Sequence, residues 1–115
     1  MAVFWYNTAV WPISLESSSC RMVLNQDGSL QFQTGETEIG QGCDTAYTQM
    51  VAEAVGVPVE SVHVVSTQDT DVTPFGTGAY ASRQTYIGGF SIMQTAQALR
   101  ERVKVLFDRS EGTMN

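Results

Sequence analysis

The alternation of apolar and polar positions gives the first clear element. Arg21, Met22, Val23 and Leu24 run into Asn25-Gln26-Asp27-Gly28, and Leu30, Phe32 and Thr34 then alternate with Ser29, Gln31 and Gln33. Period-two alternation on both sides of an Asn/Asp/Gly turn predicts a β-hairpin within residues 19 to 34. Asp27 and Gly28 tolerate the positive φ such a turn needs. The pattern then changes period. Ala46, Tyr47, Met50, Val51 and Ala54 recur at helical spacing, with Asp44 or Thr45 placed to cap the start. Gly56 falls where a left-handed residue ends a helix, and Pro58 follows it. Pro58 to Ser61 reads as a turn, one turn of 3₁₀ helix at most. Val62-His63-Val64-Val65 is then a β-branched strand.

Thr67 to Ala81 is a polar run of fifteen residues with no element of its own, a length usually reserved for functional loops. A long helix is expected from about Ser82 to Phe107, with Ser82 as its cap. Tyr86, Gly89, Met93, Ala96, Leu99, Val103 and Leu106 form its apolar stripe, and Gly88-Gly89 allows close approach to a neighbour. Residues 1–18, aromatic and then serine-rich around Pro12, read as an extended lead-in strand and loop. Residues 108–115 read as a fraying polar tail. Between them, residues 19–107 predict an α+β fold in the order β-β-α-β-α: a hairpin and a further strand in a small sheet, with two helices packed on it.

Composition narrows the function classes. The chain has 115 residues, 43% apolar and 16% charged, which suits a single globular domain. Twelve acids against six bases give a net charge of −6, which argues against nucleic acid and against anionic lipid as partners. The apolar N-terminal run, Ala2 to Tyr6, is far too short to span a membrane and lacks the flanks of a signal peptide. Cys20 and Cys43, with the single His63, cannot complete a zinc site. They read as free thiols of a reducing, cytoplasmic compartment.

Candidate chemistry concentrates in two glycine-rich loops that lead into helices. One is Gly40-Gln41-Gly42; the other is Gly76-Thr77-Gly78-Ala79-Tyr80-Ala81-Ser82-Arg83. Unpaired amides at a helix N-terminus, with small residues beside them, suit an anion such as phosphate. Each loop alone is equally a tight turn or a flexible link. Thr45 breaks the dinucleotide fingerprint, and a Walker lysine is missing. His63 fits an ordinary strand residue. Glu36 and Glu38 fit solvated loop acids better than a paired-carboxylate site. Asp69 and Asp71 have too few further oxygen ligands for a hard cation. Cys43 is either a thiol activated by the helix terminus or, more in keeping with its type, a buried inert one. Arg83 either reaches an anion or is solvated.

The segment Thr37-Glu38-Ile39-Gly40-Gln41-Gly42-Cys43-Asp44-Thr45 resembles the Thr-Glu-x-Gly-Gln-Gly-x-x-Thr segment of the molybdenum hydroxylases, the xanthine dehydrogenase and aldehyde oxidase family. The resemblance continues through Val55-Gly56-Val57-Pro58, through Val64 to Asp71, and into Gly78-Ala79-Tyr80-Ala81-Ser82-Arg83, which is similar to the second cofactor loop. It implies a partial molybdopterin-binding domain. Gln41 would bond the pterin-phosphate part, and Gly40, Gly42 and Cys43 would line it with backbone. Tyr80, Ala81, Ser82 and Arg83 would close over the dithiolene and phosphate. The family's large subunits are several times longer than this chain. The segment with the catalytic glutamate, the substrate-positioning arginine segment, the FAD domain and the iron–sulfur cysteines have no counterpart here. The chain is therefore expected to be non-catalytic alone and to hold molybdopterin weakly or not at all. Its expected partner is the remainder of such a subunit or, alternatively, a second copy of itself in a self-association role.

Overall fold

A computed structural model describes residues 1–8, 10, 12, 16–65 and 69–112. The expected order is present: strands β1 (Cys20–Leu24) and β2 (Leu30–Thr34), helix α1 (Cys43–Val55), strand β3 (Val62–Val65) and helix α2 (Gly89–Gly112). One turn of 3₁₀ helix, Val59–Ser61, precedes β3, and a π turn, Gln84–Gly88, precedes α2.

β1 and β2 form the antiparallel hairpin, and β3 joins the other edge of β2 in parallel, giving the order β1-β2-β3. The register explains the core. Met22, Phe32 and Val64 are neighbours across the sheet, as are Leu24, Leu30 and Val62. Because side chains alternate faces, these residues share one face, while Arg21, Gln31 and His63 share the other. Both helices cover the apolar face. Leu30, Phe32, Val62, Cys43, Tyr47, Val51, Ala52 and Ile92 make one buried cluster. The rings of Phe32 and Tyr47 meet edge to face at 5.8 Å, an arrangement worth about 0.5–1.5 kcal/mol beyond area burial.

The ends of the early elements follow their sequence signals. Gly28 has φ +86°, and Asp27 Oδ1 accepts the Ser29 amide and hydroxyl across the hairpin turn. Gly56, at φ +86°, ends α1 by donating its amide to Ala52 O. Other expectations need correction. Neither Asp44 nor Thr45 caps α1, whose cap residue is Gly42, and no side chain of the cap residue closes the start of the second helical segment. Ser82 lies before that segment in left-handed backbone, with φ +52°. The buried stripe of α2 is Ile92 and Ala96, with Leu99 partly covered, and Met93 is exposed. The expected polar tail is the continuation of α2 to Gly112, while residues 113–115 lie outside the described residues. Residues 1–7 form no strand, and Ser18 makes a single antiparallel bridge to Gly76. The readings on Ala9, Trp11, residues 13–15 and residues 66–68 fall outside the described residues. The radius of gyration is 16.7 Å, against about 13 Å for a compact chain of this length. The excess fits the exposure of the N-terminal aromatics and of the last turns of α2. No described helix is long and apolar enough to cross a membrane.

Candidate functional site

The two glycine loops meet because glycines let their backbones touch. A Cβ on Gly35, just past β2, would stand 2.1 Å from Pro74 O, and one on Gly76 would stand 2.5 Å from the Gly35 carbonyl carbon. Only residues without a side chain permit that contact, and it clamps the second loop against the end of the central strand.

In the first loop, Gly40 and Gly42 take φ values of +99° and +82°. This turns the loop's amides onto Glu38. Glu38 Oε1 accepts from the amides of Gly40 (2.7 Å) and Gly42 (3.1 Å), and Oε2 accepts from Asp44 (3.0 Å). The expected capping by Asp44 or Thr45 is thus replaced by a carboxylate from outside the helix. The Asp44 amide foremost, against the cost of burial and with help from the Gly42 and Gly40 amides, holds Glu38 below its ordinary 4.5. Glu38 is thus a solvent-facing loop acid whose carboxylate is taken up by backbone amides. It fills the anion position at the start of α1 with the chain's own charge.

The second loop turns back at Tyr80–Arg83. The Arg83 amide donates to Tyr80 O at 3.1 Å, and the central residues Ala81 and Ser82 have φ +51° and +52°. Two positive φ values under such a bond make a turn that normally uses glycine or asparagine. Without glycine it costs about 1–2 kcal/mol per residue. Arg83 follows directly and is fully buried. Its Nη1 donates to both Glu36 oxygens (2.9 and 2.8 Å) and to Gly78 O (3.0 Å), its Nε to Glu16 Oε2 (3.1 Å), and its Nη2 to Ser17 O. The Tyr80 ring lies 5.6 Å from the guanidinium. Burial opposes the charge, but Glu36 and Glu16 outweigh it and hold Arg83 above the ordinary arginine value. The solvated readings of Arg83 and Glu36 are overturned, since Glu36 is 2% exposed. The anion that Arg83 reaches is internal.

Between the loops lies an open cleft of about 370 Å³, with Ile39 and Gln41 on one side and Ala79, Tyr80, Ser82 and Gln84 on the other. Gln41 Nε2 donates to Gln84 Oε1 and to Thr37 O (3.0 Å), and Gln84 Nε2 donates to Thr37 O (2.7 Å). Gln84 is the residue that sequence reasoning missed. Its place depends on Tyr47, whose hydroxyl donates to Gln84 O at 2.9 Å inside the π turn. A helical turn widened in this way leaves carbonyls needing outside partners, and this one is supplied by α1.

Of the expected site residues, Gln41, Tyr80, Ser82 and Arg83 border the cleft. Ala81 shapes its turn, Gly40 and Gly42 face Glu38, and Cys43 is buried in the core. Burial pushes the Cys43 thiol up to about 11; the Tyr47 hydroxyl opposes this, and the charges of Asp44, Glu38 and Glu36 reinforce it. The inert reading of this cysteine holds. Among the described residues no three His, Cys, Asp or Glu side chains group to hold a metal. Asp69 accepts the Asp71 amide at 2.9 Å and so builds a local turn.

The cleft presents amides, hydroxyls and an aromatic ring, while the nearby charges are matched among themselves. That fits a flat, hydrogen-bonding heterocycle and does not make a nucleophile–base pair. The fold and cleft define a small α+β cofactor-binding unit built on paired loops. The sequence model of the molybdopterin cofactor-binding domain matches residues 1–111, and the chain belongs to that family. It is 52% identical, over 90% of its length, to a xanthine dehydrogenase molybdenum-binding subunit of Escherichia coli O157:H7, and covers 14% of that protein. Among solved structures, reconstituted CO dehydrogenase from Oligotropha carboxidovorans matches 77% of the chain with a TM-score of 0.72 at 27% identity. Quinoline 2-oxidoreductase from Pseudomonas putida 86 matches 76% with a TM-score of 0.65 at 37% identity. This chain covers 11% of each of those two chains.

Proposed function

We propose that this chain supplies one side of the molybdenum-cofactor site of a xanthine dehydrogenase-like hydroxylase and works with the other segments of a large subunit, in the cytoplasm. The cleft carries this reading, because the two loops that resemble the family's cofactor loops meet across it through Gln41 and Gln84. The bound group would supply the redox chemistry of hydroxylating a purine or aldehyde with oxygen from water. The residues of this chain bind and orient. Ser82, Tyr80 and the capacity that Gln41 and Gln84 keep beside their bonds to each other, to Thr37 O and to the Ile39 amide offer the hydrogen-bonding surface, and Gly40, Gly42, Cys43, Ala81 and Arg83 fix its shape. Glu36 and Glu38 are engaged internally, so neither is assigned to proton transfer. Exposed Phe4, Trp5 and Tyr6, with Leu106 and Phe107 on the end of α2, are the surfaces the rest of such a subunit would cover. The same exposure supports the second reading, self-association of this chain.

Titrating the chain with molybdopterin released from a donor enzyme, without oxygen, tests the proposal. Bound and free ligand are separated by dialysis and read as the fluorescent oxidised pterin. Because the chain supplies only one side of the site, weak but saturable one-to-one binding is expected, weakened by a further factor of about 2 to 12 by Gln41→Ala, the worth of one neutral hydrogen bond. Absence of saturable binding, or identical affinity in Gln41→Ala, would refute it.

A further inference from the structure

We infer that Arg83 and Glu36 are positioning residues: their buried pair staples the glycine-free turn at Ala81–Ser82 and thereby sets Ser82 and Gln84 in the cleft. The ligand half of this inference rests on the function proposed above.

The turn needs a staple. Its two central residues carry side chains in left-handed backbone, a conformation that single residues other than glycine and asparagine rarely adopt. Such backbone persists only where surrounding structure over-determines it. The guanidinium provides this at both ends of the turn. Tyr80, the first residue, lies under it, and Arg83, the last, carries it. Three separate stretches then anchor it: Glu16 and Ser17 from the lead-in, Glu36 beyond β2, and Gly78 from the loop itself. The Glu36 backbone is fixed in turn, its N–H donating to Thr34 Oγ1 at 3.2 Å. Nε, Nη1 and Nη2 are all engaged, so the side chain holds backbone and carboxylate and does not act as a ligand for an outside anion. The fork geometry matters, because a lysine could not bond Glu36, Glu16 and two carbonyls together.

The test combines Arg83→Lys with a rescue. Ala81→Asn together with Ser82→Gly creates the residue pair that adopts this turn unaided. Hydrogen exchange of residues 79–85 reads the turn, and molybdopterin affinity reads the cleft. Arg83→Lys is expected to speed exchange in that segment at least tenfold, with less than threefold change in β2 and α1, and to weaken binding about tenfold. Adding Ala81→Asn and Ser82→Gly should return exchange to within threefold of the parent. Adding Ala81→Asn alone, which keeps the Ser82 hydroxyl, should recover most of the affinity. Unchanged exchange in Arg83→Lys, or no recovery with the rescue pair, overturns the inference. If Arg83→Lys does not fold, the rescue pair in the otherwise intact chain decides. Slower exchange of the segment supports the staple, and unchanged exchange overturns it. Should the parent chain not bind molybdopterin, the exchange result still judges the staple, and only the cofactor reading falls.

Discussion

Gly88→Ala tests the contact on which the cleft is built. The glycine sits in the π turn, and a Cβ there would lie 2.1 Å from the Tyr47 hydroxyl and 2.9 Å from its ring carbon. Tyr47 is 1% exposed and cannot swing into solvent. Forcing the methyl in costs roughly 1–3 kcal/mol as overpacking. Displacing the hydroxyl from Gln84 O leaves a buried donor and acceptor unpaired, for about another 1–3 kcal/mol. Alanine's better helix propensity returns about 1 kcal/mol. The expected net loss is about 1–5 kcal/mol, a large part of the 5–15 kcal/mol typical of a domain. Urea unfolding with linear extrapolation measures it. Tyr47→Phe alone should cost about 1–2 kcal/mol through the unpaired Gln84 carbonyl. In the double variant the worst of the clash, that with the hydroxyl, goes together with the bond, though the ring carbon at 2.9 Å remains, so the loss should fall short of the sum by at least about 1 kcal/mol. A neutral Gly88→Ala, or strict additivity with Tyr47→Phe, would refute this account of the π turn.

Two further predictions follow from the loops. Glu38 has a folded-state pKa below its ordinary 4.5, so its contribution is present above the unfolded value and is lost as pH falls through the lower folded one. Glu38→Gln should therefore flatten the stability curve on the acid side of pH 4.5, and an unchanged acid limb in urea melts from neutral pH downward would count against the bonds described. Cys43, buried with its thiol near 11, should resist iodoacetamide at pH 8 in the folded chain and react only on unfolding or toward pH 11; peptide mass mapping reads this, and rapid native labelling at Cys43 would contradict its burial.

What the sequence revealed and what it concealed divide along local and tertiary causes. Leu30 and Phe32 announced the buried face of β2 through their alternation, and Gly56 marked the end of α1 through its φ, because both signals are local. The start of α2 was hidden. Ser82 to Gly88 carries helical spacing, yet Ala81 and Ser82 are left-handed and Gln84–Gly88 is a π turn. The causes are the Tyr47 hydroxyl and the carboxylates of Glu36 and Glu16, which come from distant parts of the chain. The same contact fixes the phase of α2. With Gly88 held on Tyr47, Ile92 and Ala96 point inward four and eight residues on, and Met93 points outward. Glu36 and Glu38 looked alike in a polar loop. Only folding separates them, one to a buried guanidinium and one to backbone amides.

That separation bears on what the cleft can recognise. The expectation of a phosphate at the start of α1 rested on free amides, and Glu38 already takes those of Gly40, Gly42 and Asp44. A phosphate there would have to displace a carboxylate held by three bonds, or else add its charge beside it. Arg83 offers no compensation, since its charge is balanced by Glu36 and Glu16. What lines the cleft is neutral: the Gln41 and Gln84 side chains, bonded to each other and to Thr37 O, the Ser82 hydroxyl and the Tyr80 ring. Neutral donors and acceptors suit the amide-like edge of a pterin, where mismatched pairing costs most and selectivity is greatest. They give little hold on a dianion. Under the proposed role the ligand would be divided: this chain would read the heterocycle, and the charge of the phosphate would be met by groups from the other segments of such a subunit.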